Sequence, residues 1–217
     1  MRPIGWGAEY ESSLFMDRRL FMAGCAAVLA SPALAQNESV NRINTYLTNL
    51  RSAVATFTQE NPDGTVVTGT FYMKKPGKMR FEYNAPSDSL VVADGRTLAI
   101  FDAKSNVSPQ RYPQRRTPLS MLSADNIDVT SSEFVRRIEE ENGRAYVTLF
   151  DPEKPRNGQM VMIFDIEPMQ LAEWILTDKS GLETHVYLDE LDTRMNLRNR
   201  LFSIGWNIND FESRNGG

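Results

Sequence analysis

Short segments in which apolar and polar residues alternate fill most of the chain from Ser52 onward, and they constrain its fold more than any other feature. In the clearest segment, residues 78–83, Met79 and Phe81 share one face and Arg80 lies on the other. A period of two is typical of a β-strand that buries one face, so the pattern predicts that Arg80 points outward. Residue pairs that favour tight turns separate several segments: Asp63-Gly64, Pro76-Gly77, Asp94-Gly95, Asn142-Gly143 and Ser180-Gly181. The sequence therefore predicts a meander of antiparallel strands.

We count about eleven such segments along the chain: 52–59, 65–74, 78–83, 89–93, 97–102, 108–112, 134–141, 144–151, 159–166, 171–178 and 182–189. The connections between them are short, which favours antiparallel neighbours. We predict one long, curved antiparallel sheet, closed or nearly closed, with helices packed in or over its mouth. The even spacing of Phe202, Ile204, Trp206 and Ile208 predicts a final edge strand or a docked arm within residues 201–211.

Two helices are indicated. From Asn37 to Leu50 the apolar residues recur at helical spacing, which predicts an amphipathic helix. A proline-rich stretch, residues 103–130, holds Thr117-Pro118-Leu119, where a proline at the first helical position predicts a short helix. Its apolar residues Met121 and Leu122 fit a lid over a cavity, and they fit equally a loop that tucks a few side chains into the core.

Residues 1–35 have the pattern of a secretory signal segment. Charged Asp17-Arg18-Arg19 precedes an apolar run from Leu20 to Leu29, and small residues indicate cleavage after Ala35. The run is shorter than the ~20 residues that span a bilayer, and we expect translation to begin at Met16. The paired arginines resemble a twin-arginine export motif, and an ordinary secretory signal is the alternative. Met22-Ala23-Gly24-Cys25 resembles a lipobox, although a better cleavage site lies downstream.

The expected processed chain, residues 36–217, has the length of a single domain. Cys25 is the only cysteine of the chain, so the processed protein has no disulfide and its stability depends on its core. His185 is the only histidine, and a lone histidine on a strand is usually structural or exposed. No second histidine or cysteine is available for a zinc or nucleophilic site, and no serine lies in a nucleophile elbow. We therefore expect no catalytic residue, no metal, no cofactor and no enzymatic activity. A pair of catalytic carboxylates from distant positions stays open.

The net charge of −4 lacks the basic surplus on which nucleic-acid binding depends, so no nucleic-acid partner is expected. Basic residues nevertheless cluster locally. They either keep edges and turns soluble or form a docking face for an acidic partner. The two groups are Lys74, Lys75, Lys78 and Arg80, and Arg111, Arg115 and Arg116.

In order and spacing, several of these motifs together resemble the LolA family of periplasmic carriers of outer-membrane lipoproteins. The motifs are the helix Val40 to Leu50, Phe57-Thr58-Gln59, Lys75-Pro76, the aromatic strand Met79 to Tyr83, Asp94-Gly95 and Thr117-Pro118-Leu119. The resemblance implies a mainly β fold with a few helices: an incomplete, unclosed antiparallel β-barrel of about eleven strands with a helical lid over a hydrophobic cavity.

The resemblance also implies a function. A monomeric periplasmic carrier would take acylated lipoproteins from an inner-membrane Lol-type ABC transporter and pass them to an outer-membrane lipoprotein receptor, where one exists. Positions that resemble residues lining the acyl-chain cavity are Phe57, Phe71, Met79, Phe81, Leu90, Val92, Leu119, Met121 and Leu122. In many members of the family an arginine precedes the proline, and this arginine holds the lid closed. Here Lys75 stands in that place without the planar fork of arginine, and Arg80 is the second candidate for the latch.

Three other functions stay open at this point. The protein could carry a lipid that is not a lipoprotein, or act as a non-catalytic binding or regulatory module on the same scaffold, such as an envelope-stress sensor. An enzyme of lipid metabolism would need a polar triad that cannot be assembled around a single histidine.

Overall fold

A computed structural model describes residues 32–102, 108–117, 119–125, 127–156 and 158–215. The described part begins at residue 32. Residues 1–31 of the expected signal segment, which include Met16, Cys25 and the paired arginines, lie outside it. Among the helices of the described part, none is long and apolar enough to cross a membrane.

The described residues form one antiparallel sheet of eleven strands, which confirms the predicted strand number. The strands are β1 Ser52–Glu60, β2 Val66–Lys74, β3 Lys78–Tyr83, β4 Leu90–Asp94, β5 Thr97–Phe101, β6 Gln110–Pro113, β7 Val135–Glu141, β8 Arg144–Phe150, β9 Gly158–Asp165, β10 Gln170–Asp178 and β11 Glu183–Asp192. Their order is β6-β5-β4-β3-β2-β1-β11-β10-β9-β8-β7. The strands β6 and β7 are therefore the two edges of an unclosed sheet, as the predicted fold class requires.

The interior of the sheet is built from one face of the alternating strands. In β1, Ala53, Ala55 and Phe57 are buried, and in β2 Phe71 and Met73 face them across the register. Because directly opposite residues in an antiparallel pair share a face, these side chains form one continuous apolar surface. The sheet therefore has an apolar interior that the N-terminal helix and the loops must cover.

Helix α1, Pro32–Asn49, covers part of this interior. It begins five residues before the predicted start at Asn37, and its Val40, Ile43 and Leu47 are buried in the main core cluster. Arg42 of the helix forms an ion pair of 2.8 Å with Glu167, which lies between β9 and β10. Helix α1 therefore packs its apolar stripe against the sheet, as its spacing predicted.

The C-terminal segment is helical, so the predicted edge strand was wrong, whereas the alternative of a docked arm is confirmed, because the segment packs on the sheet. A 3₁₀ turn at Asn199–Phe202 leads into helix α3, Ile204–Asn215. Ile204, Ile208 and Phe211 also fit the i, i+4, i+7 spacing of a helix, and they pack in one small cluster on the outer face of the sheet. The even spacing from Phe202 to Ile208 fits a strand as well, so the helical period was not recognised in the sequence.

Helix α3 also explains why Arg80 does not point into solvent. The alternation places Arg80 on the outer face correctly, but the C-terminal segment covers that face and leaves the side chain only 3% exposed. The Arg80 guanidinium donates hydrogen bonds to Asn207 Oδ1 and to the Leu201 carbonyl at 3.3 Å, and it forms an ion pair of 3.1 Å with Glu82. Arg80 therefore fixes the C-terminal segment against β3.

Candidate functional site

The chain between the two edge strands forms the candidate lid. This lid segment, residues 114–134, leaves β6 and enters β7, so it links the two edges that the sheet leaves unpaired. It carries helix α2, Leu119–Leu122, whose Met121 and Leu122 are buried and whose Leu119 is half-buried against the main core. The predicted short helix is therefore present from Leu119 onward, and Pro118 lies outside the described residues.

Gln114 ties the lid segment to two turns of the sheet. Its side chain is only 3% exposed, and its Nε2 donates to the Gly77 carbonyl at 2.7 Å while its Oε1 accepts from the Gly95 amide at 3.0 Å. The Gly77 amide in turn donates to the Ser123 carbonyl at 2.7 Å. Gly77 has φ +74°, and a Cβ there would lie 2.6 Å from the Gly95 Cα, so the close approach of the two turns requires a glycine at position 77.

The same segment is tied to helix α1 on its other side. Asn44 Nδ2 donates to Asp128 Oδ1 at 3.1 Å, and the Val129 amide donates to Asn44 Oδ1 at 2.8 Å. Hydroxyl and amide donors of Thr130, followed by the Ser131 hydroxyl, hold the pKa of the Asp128 carboxyl well below its usual range. Asp128 therefore stays ionised and keeps the loop after α2 folded against the helix.

Lys75, the first latch candidate, contacts α1. Its side chain is buried, and its Nζ donates a short hydrogen bond to the Leu47 carbonyl, one of the last four of the helix, which have no partner within it. Burial and, to a smaller extent, the nearby Arg51 lower the pKa of Lys75 to about 8, against an opposing effect of Asp125. Arg51 also pairs with Asp125 of the lid segment at 2.5 Å, so Lys75 lies where α1 and the lid segment meet.

Most of the residues predicted to line the cavity do lie together. The main core cluster contains Phe57, Phe71, Met79, Phe81, Met121 and Leu122, with Leu119 packed against it. Leu90 and Val92 do not join them. In the register of β3 and β4 they stand opposite Glu82 and Arg80, which places them on the outer face, where they pack with Ile204 and Phe211. The prediction was wrong about their position because β4 is buried on both faces and shows no alternation.

Aromatic rings dominate the interior. Phe71 lies 4.8 Å from Phe81 and 5.7 Å from Trp174, measured between ring centroids, and Phe57 lies 5.1 Å from Tyr83. Trp174 was not among the predicted interior residues, and its parity gives no clear signal, because a bulge between Leu171 and Glu173 shifts the register of β10.

Interior polar groups and methionines complete the core. The Tyr83 hydroxyl donates to Gln59 Oε1 at 2.8 Å, which gives the Phe57-Thr58-Gln59 motif a structural role, and burial raises the pKa of Tyr83 to about 12.

Four methionines are completely buried: Met73, Met79, Met160 and Met162. Unbranched thioethers adapt to partners of different shape, so this interior can be repacked at low cost.

Two clefts open beside the lid segment. One has a volume of about 650 Å³ and the other about 750 Å³, within the ~300–1,000 Å³ range of ligand pockets. Both are lined by Ser120, Ala124, Glu133 and Phe134, so they lie on either side of the same stretch. Within the described residues no three histidine, cysteine or acidic side chains are placed to hold a metal ion. The candidate site therefore combines an apolar core with two clefts of mixed lining beside the lid segment.

Comparison with known proteins gives a consistent result. A family model described as outer membrane lipoprotein carrier protein LolA matches residues 48–205. The outer-membrane lipoprotein carrier protein of Methylococcus capsulatus is 26% identical over 178 residues, which cover 78% of this chain and 85% of that protein. The protein of the same name from Cupriavidus necator is 33% identical over 106 residues, covering 44% of this chain and 50% of that protein, so the chain spans about half the length of this relative.

Solved structures give weaker likenesses. An uncharacterized conserved protein from Thermus thermophilus aligns with a TM-score of 0.48 at 13% identity, covering 77% of this chain and 92% of that one. A LolA superfamily protein from Nitrosomonas europaea aligns with a TM-score of 0.41 at 14% identity, covering 76% of this chain and 97% of that one.

Proposed function

The chain belongs to the LolA family of outer-membrane lipoprotein carrier proteins, and from this premise we propose that it is a periplasmic carrier that shelters the acyl chains of lipoproteins inside its barrel. In this proposal an inner-membrane ABC transporter supplies the acylated lipoprotein and the outer membrane receives it, through a receptor where one exists. The protein acts as a monomer, reaches the periplasm through a cleaved signal segment and performs no covalent chemistry.

One observation carries the proposal. The apolar interior is covered by the lid segment, which is held to the rest of the protein by polar side chains. The side chains of Met121 and Leu122 close the interior from the lid side, while Gln114 and Asp128 hold the segment in place through hydrogen bonds. Each such bond contributes about 1 kcal/mol net, because water replaces it when it breaks. The cover can therefore open at a modest free-energy cost without unfolding the sheet.

The gain from cargo offsets that cost. Each methylene removed from water contributes about 0.8 kcal/mol, so one long acyl chain outweighs the few hydrogen bonds of the lid segment. In the described state the protein's own side chains fill the interior, with Phe57, Phe71 and Met79 almost fully buried. An acyl chain must displace some of these contacts, so cargo binds the open state more tightly than the closed one and shifts the equilibrium toward it.

Photolabelling tests the proposal on the unaltered protein. The processed protein is incubated with a palmitoylated lipopeptide that carries a diazirine in its acyl chain, irradiated and analysed by peptide mapping. We expect labels on the interior strands and on α2, including Met79, Phe81 and Met121, and loss of these labels when unlabelled lipopeptide competes. The separate outer cluster of Leu90, Val92 and Phe101 is an internal control, since it is equally apolar but lies on the other face.

Two results would overturn the proposal. Labels confined to the outer cluster and the exposed surface would mean that the acyl chain does not enter the barrel. Labels in the interior that unlabelled lipopeptide fails to displace would mean that the site does not bind this class of ligand.

A further inference from the structure

The segment that leads into α3 is basic, although the whole chain is acidic. From Thr193 to Trp206 it contains three arginines and no acidic residue, while the chain as a whole has a net charge of −4. Two lysines of the sheet lie against the same segment. We call the five cations together the basic strip: Lys74, Lys78, Arg194, Arg198 and Arg200.

Hydrogen bonds fix this segment across one end of the sheet. Ser52 Oγ donates to the Met195 carbonyl at 2.8 Å, Lys74 Nζ to the Leu197 carbonyl at 2.6 Å, and Lys78 Nζ to Asn199 Oδ1 at 3.2 Å. The three donors are neighbours in the register, since Ser52 pairs with Lys74 and Lys74 with Lys78.

That end of the sheet is also the end held by the lid segment. The turn between β2 and β3 contains Gly77, whose amide and carbonyl bind Ser123 and Gln114. We call the end of the sheet that the lid segment covers the mouth of the barrel. Because Lys74 and Lys78 flank the turn at this end, the basic strip lies beside the mouth.

Exposed apolar side chains accompany the cations. Trp206 is 37% exposed and Met195 48%, while Leu197 and Phe202 are buried and anchor the segment. The Arg200 guanidinium lies 5.6 Å from the centre of the Trp206 ring. An indole and a thioether at the surface among arginines are suited to the boundary between polar headgroups and acyl chains, where amphipathic side chains partition.

Several acidic residues lie near the strip, and Asp94 of β4 stands directly opposite Lys78 in the register. Asp192 pairs with Arg194 at 3.0 Å, and Glu82 pairs with the buried Arg80. Asp210 lies on α3 one turn after Trp206 and also has a partner. Because Asp192 offsets Arg194 and Asp94 offsets Lys78, the net positive charge of the strip comes from Arg198, Arg200 and Lys74.

We propose that the basic strip and Trp206 dock the protein on a bilayer surface that contains anionic phospholipid, with the mouth of the barrel facing the headgroups. Arginine binds phosphate oxygens through its planar fork, and clusters of arginine and lysine are attracted to anionic headgroups. Membrane docking goes beyond the carrier function proposed above, because the strip lies outside the barrel interior and needs no cargo.

Vesicle flotation of cargo-free processed protein tests the proposal. We expect binding to vesicles of phosphatidylcholine with phosphatidylglycerol, little binding to phosphatidylcholine alone, and release at an ionic strength of about 1 M, where the Debye length falls to about 3 Å. A cation near an anionic surface contributes about fivefold in affinity, so Arg198→Gln/Arg200→Gln is expected to weaken binding by more than about tenfold.

The matched control is Arg136→Gln/Arg137→Gln, which removes the same charge from two exposed residues of β7 and is expected to bind like the parent. Trp206 supplies a direct readout. After processing, the other tryptophan is the buried Trp174, so brominated lipid is expected to quench Trp206 in the parent and to have no effect in Trp206→Phe.

Equal binding to neutral and anionic vesicles, an equal loss in both double variants, or no binding at all would overturn the docking proposal. An acidic protein partner would give the last of these results. Loss of vesicle binding leaves the interior photolabelling pattern unchanged, so failure of this inference and failure of the carrier function are distinguishable.

Discussion

Gly69 shows how one residue position sets the packing of the barrel interior. A Cβ at Gly69 would lie 2.3 Å from the Glu82 carbonyl oxygen and 2.6 Å from the Phe57 ring, and both are nearer than van der Waals contact allows. We expect Gly69→Ala to lower the free energy of unfolding by about 3 kcal/mol, since overpacking forces strands β2 and β3 apart. Chemical denaturation of the processed protein measures this change.

Gly205 is the matched control for this prediction. It lies in α3, and a Cβ there meets nothing within 4 Å. Because alanine favours a helix over glycine, Gly205→Ala is expected to raise the free energy of unfolding by about 0.5–1 kcal/mol. Equal effects of the two substitutions would contradict the packing described around Phe57.

Lys75 gives a prediction about pH. Its pKa in the folded protein is about 8, below the ordinary 10.5, so between these values the unfolded chain binds more protons than the folded one. The stability contribution of Lys75 therefore rises as pH increases from 8 to 10.5, and it is lowest below pH 8, where the buried amine must carry its charge. We expect the free energy of unfolding of the parent to rise relative to Lys75→Met by roughly 1–2 kcal/mol over this window.

Lys75→Arg serves as a second reference, because a guanidinium does not titrate in this window. Both variants are expected to lack the pH-dependent gain of the parent in denaturation experiments at matched ionic strength. If the free energy of unfolding of the parent differed from that of both variants by an amount that did not change with pH, Lys75 would not be buried against the Leu47 carbonyl.

At the scale of elements, Gln114 is the residue on which the position of the lid segment depends most. Gln114→Ala leaves the Gly77 carbonyl and the Gly95 amide without their side-chain partner, and we expect a loss of about 1–3 kcal/mol in the free energy of unfolding. Hydrogen exchange at the amides of Ser120 and Ala124, whose bonds close the α2 turn, is expected to accelerate.

Gln110 provides the comparison for Gln114. It lies exposed on β6 and accepts a hydrogen bond from the Tyr112 hydroxyl, so Gln110→Ala removes a glutamine side chain without touching the lid contacts. If exchange in α2 stayed at the parent rate in Gln114→Ala, or rose equally in Gln110→Ala, the role of Gln114 in holding the lid segment would be wrong.

The elements also show how far the sequence predicts this fold. The alternation of residues 52–59 and 78–83 and the turn pairs predicted about eleven strands and most of their bounds, because each half-buried strand carries its own period. Helix α3 was mistaken for a strand because Ile204 and Ile208 satisfy both an even spacing and a helical one. A period is ambiguous when fewer than about three turns are available to resolve it.

The site was predictable only where it is built from strands with one buried face. The interior position of Phe71, Met79 and Phe81 followed from their parity, whereas the covering of Arg80 depends on Asn207, which is distant in the sequence. Gln114 carries no signal at all, since its role arises from two glycine turns brought together by the sheet. Contacts between elements that are distant in sequence leave no local pattern to read.

At the scale of the whole molecule, the proposed carrier function predicts that the lid segment and α1 separate to give an acyl chain access to the interior. Asn44 of α1 and Asp128 of the lid segment are in hydrogen-bond contact at 3.1 Å, and the processed protein is expected to contain no cysteine. In Asn44→Cys/Asp128→Cys, a reducible bifunctional thiol reagent can link the two elements. We expect the linked protein to lose uptake of a fluorescent acyl probe and to regain it on reduction.

The unlinked double variant controls for the substitutions themselves, and each single variant treated with the reagent controls for modification. Uptake at the parent rate by the fully linked protein would mean that acyl chains enter by another route, or do not enter the barrel.

The central claim, that the barrel interior carries lipoprotein acyl chains, is tested most directly by native mass spectrometry. The protein is exported by a Gram-negative host, purified from its periplasm without detergent and analysed together with a lipid extract of the same sample. The carrier function predicts bound acylated lipoprotein or acylated peptide, released when the protein is denatured. A protein that carries no acylated species, and that also takes up no acyl probe afterwards, would contradict it.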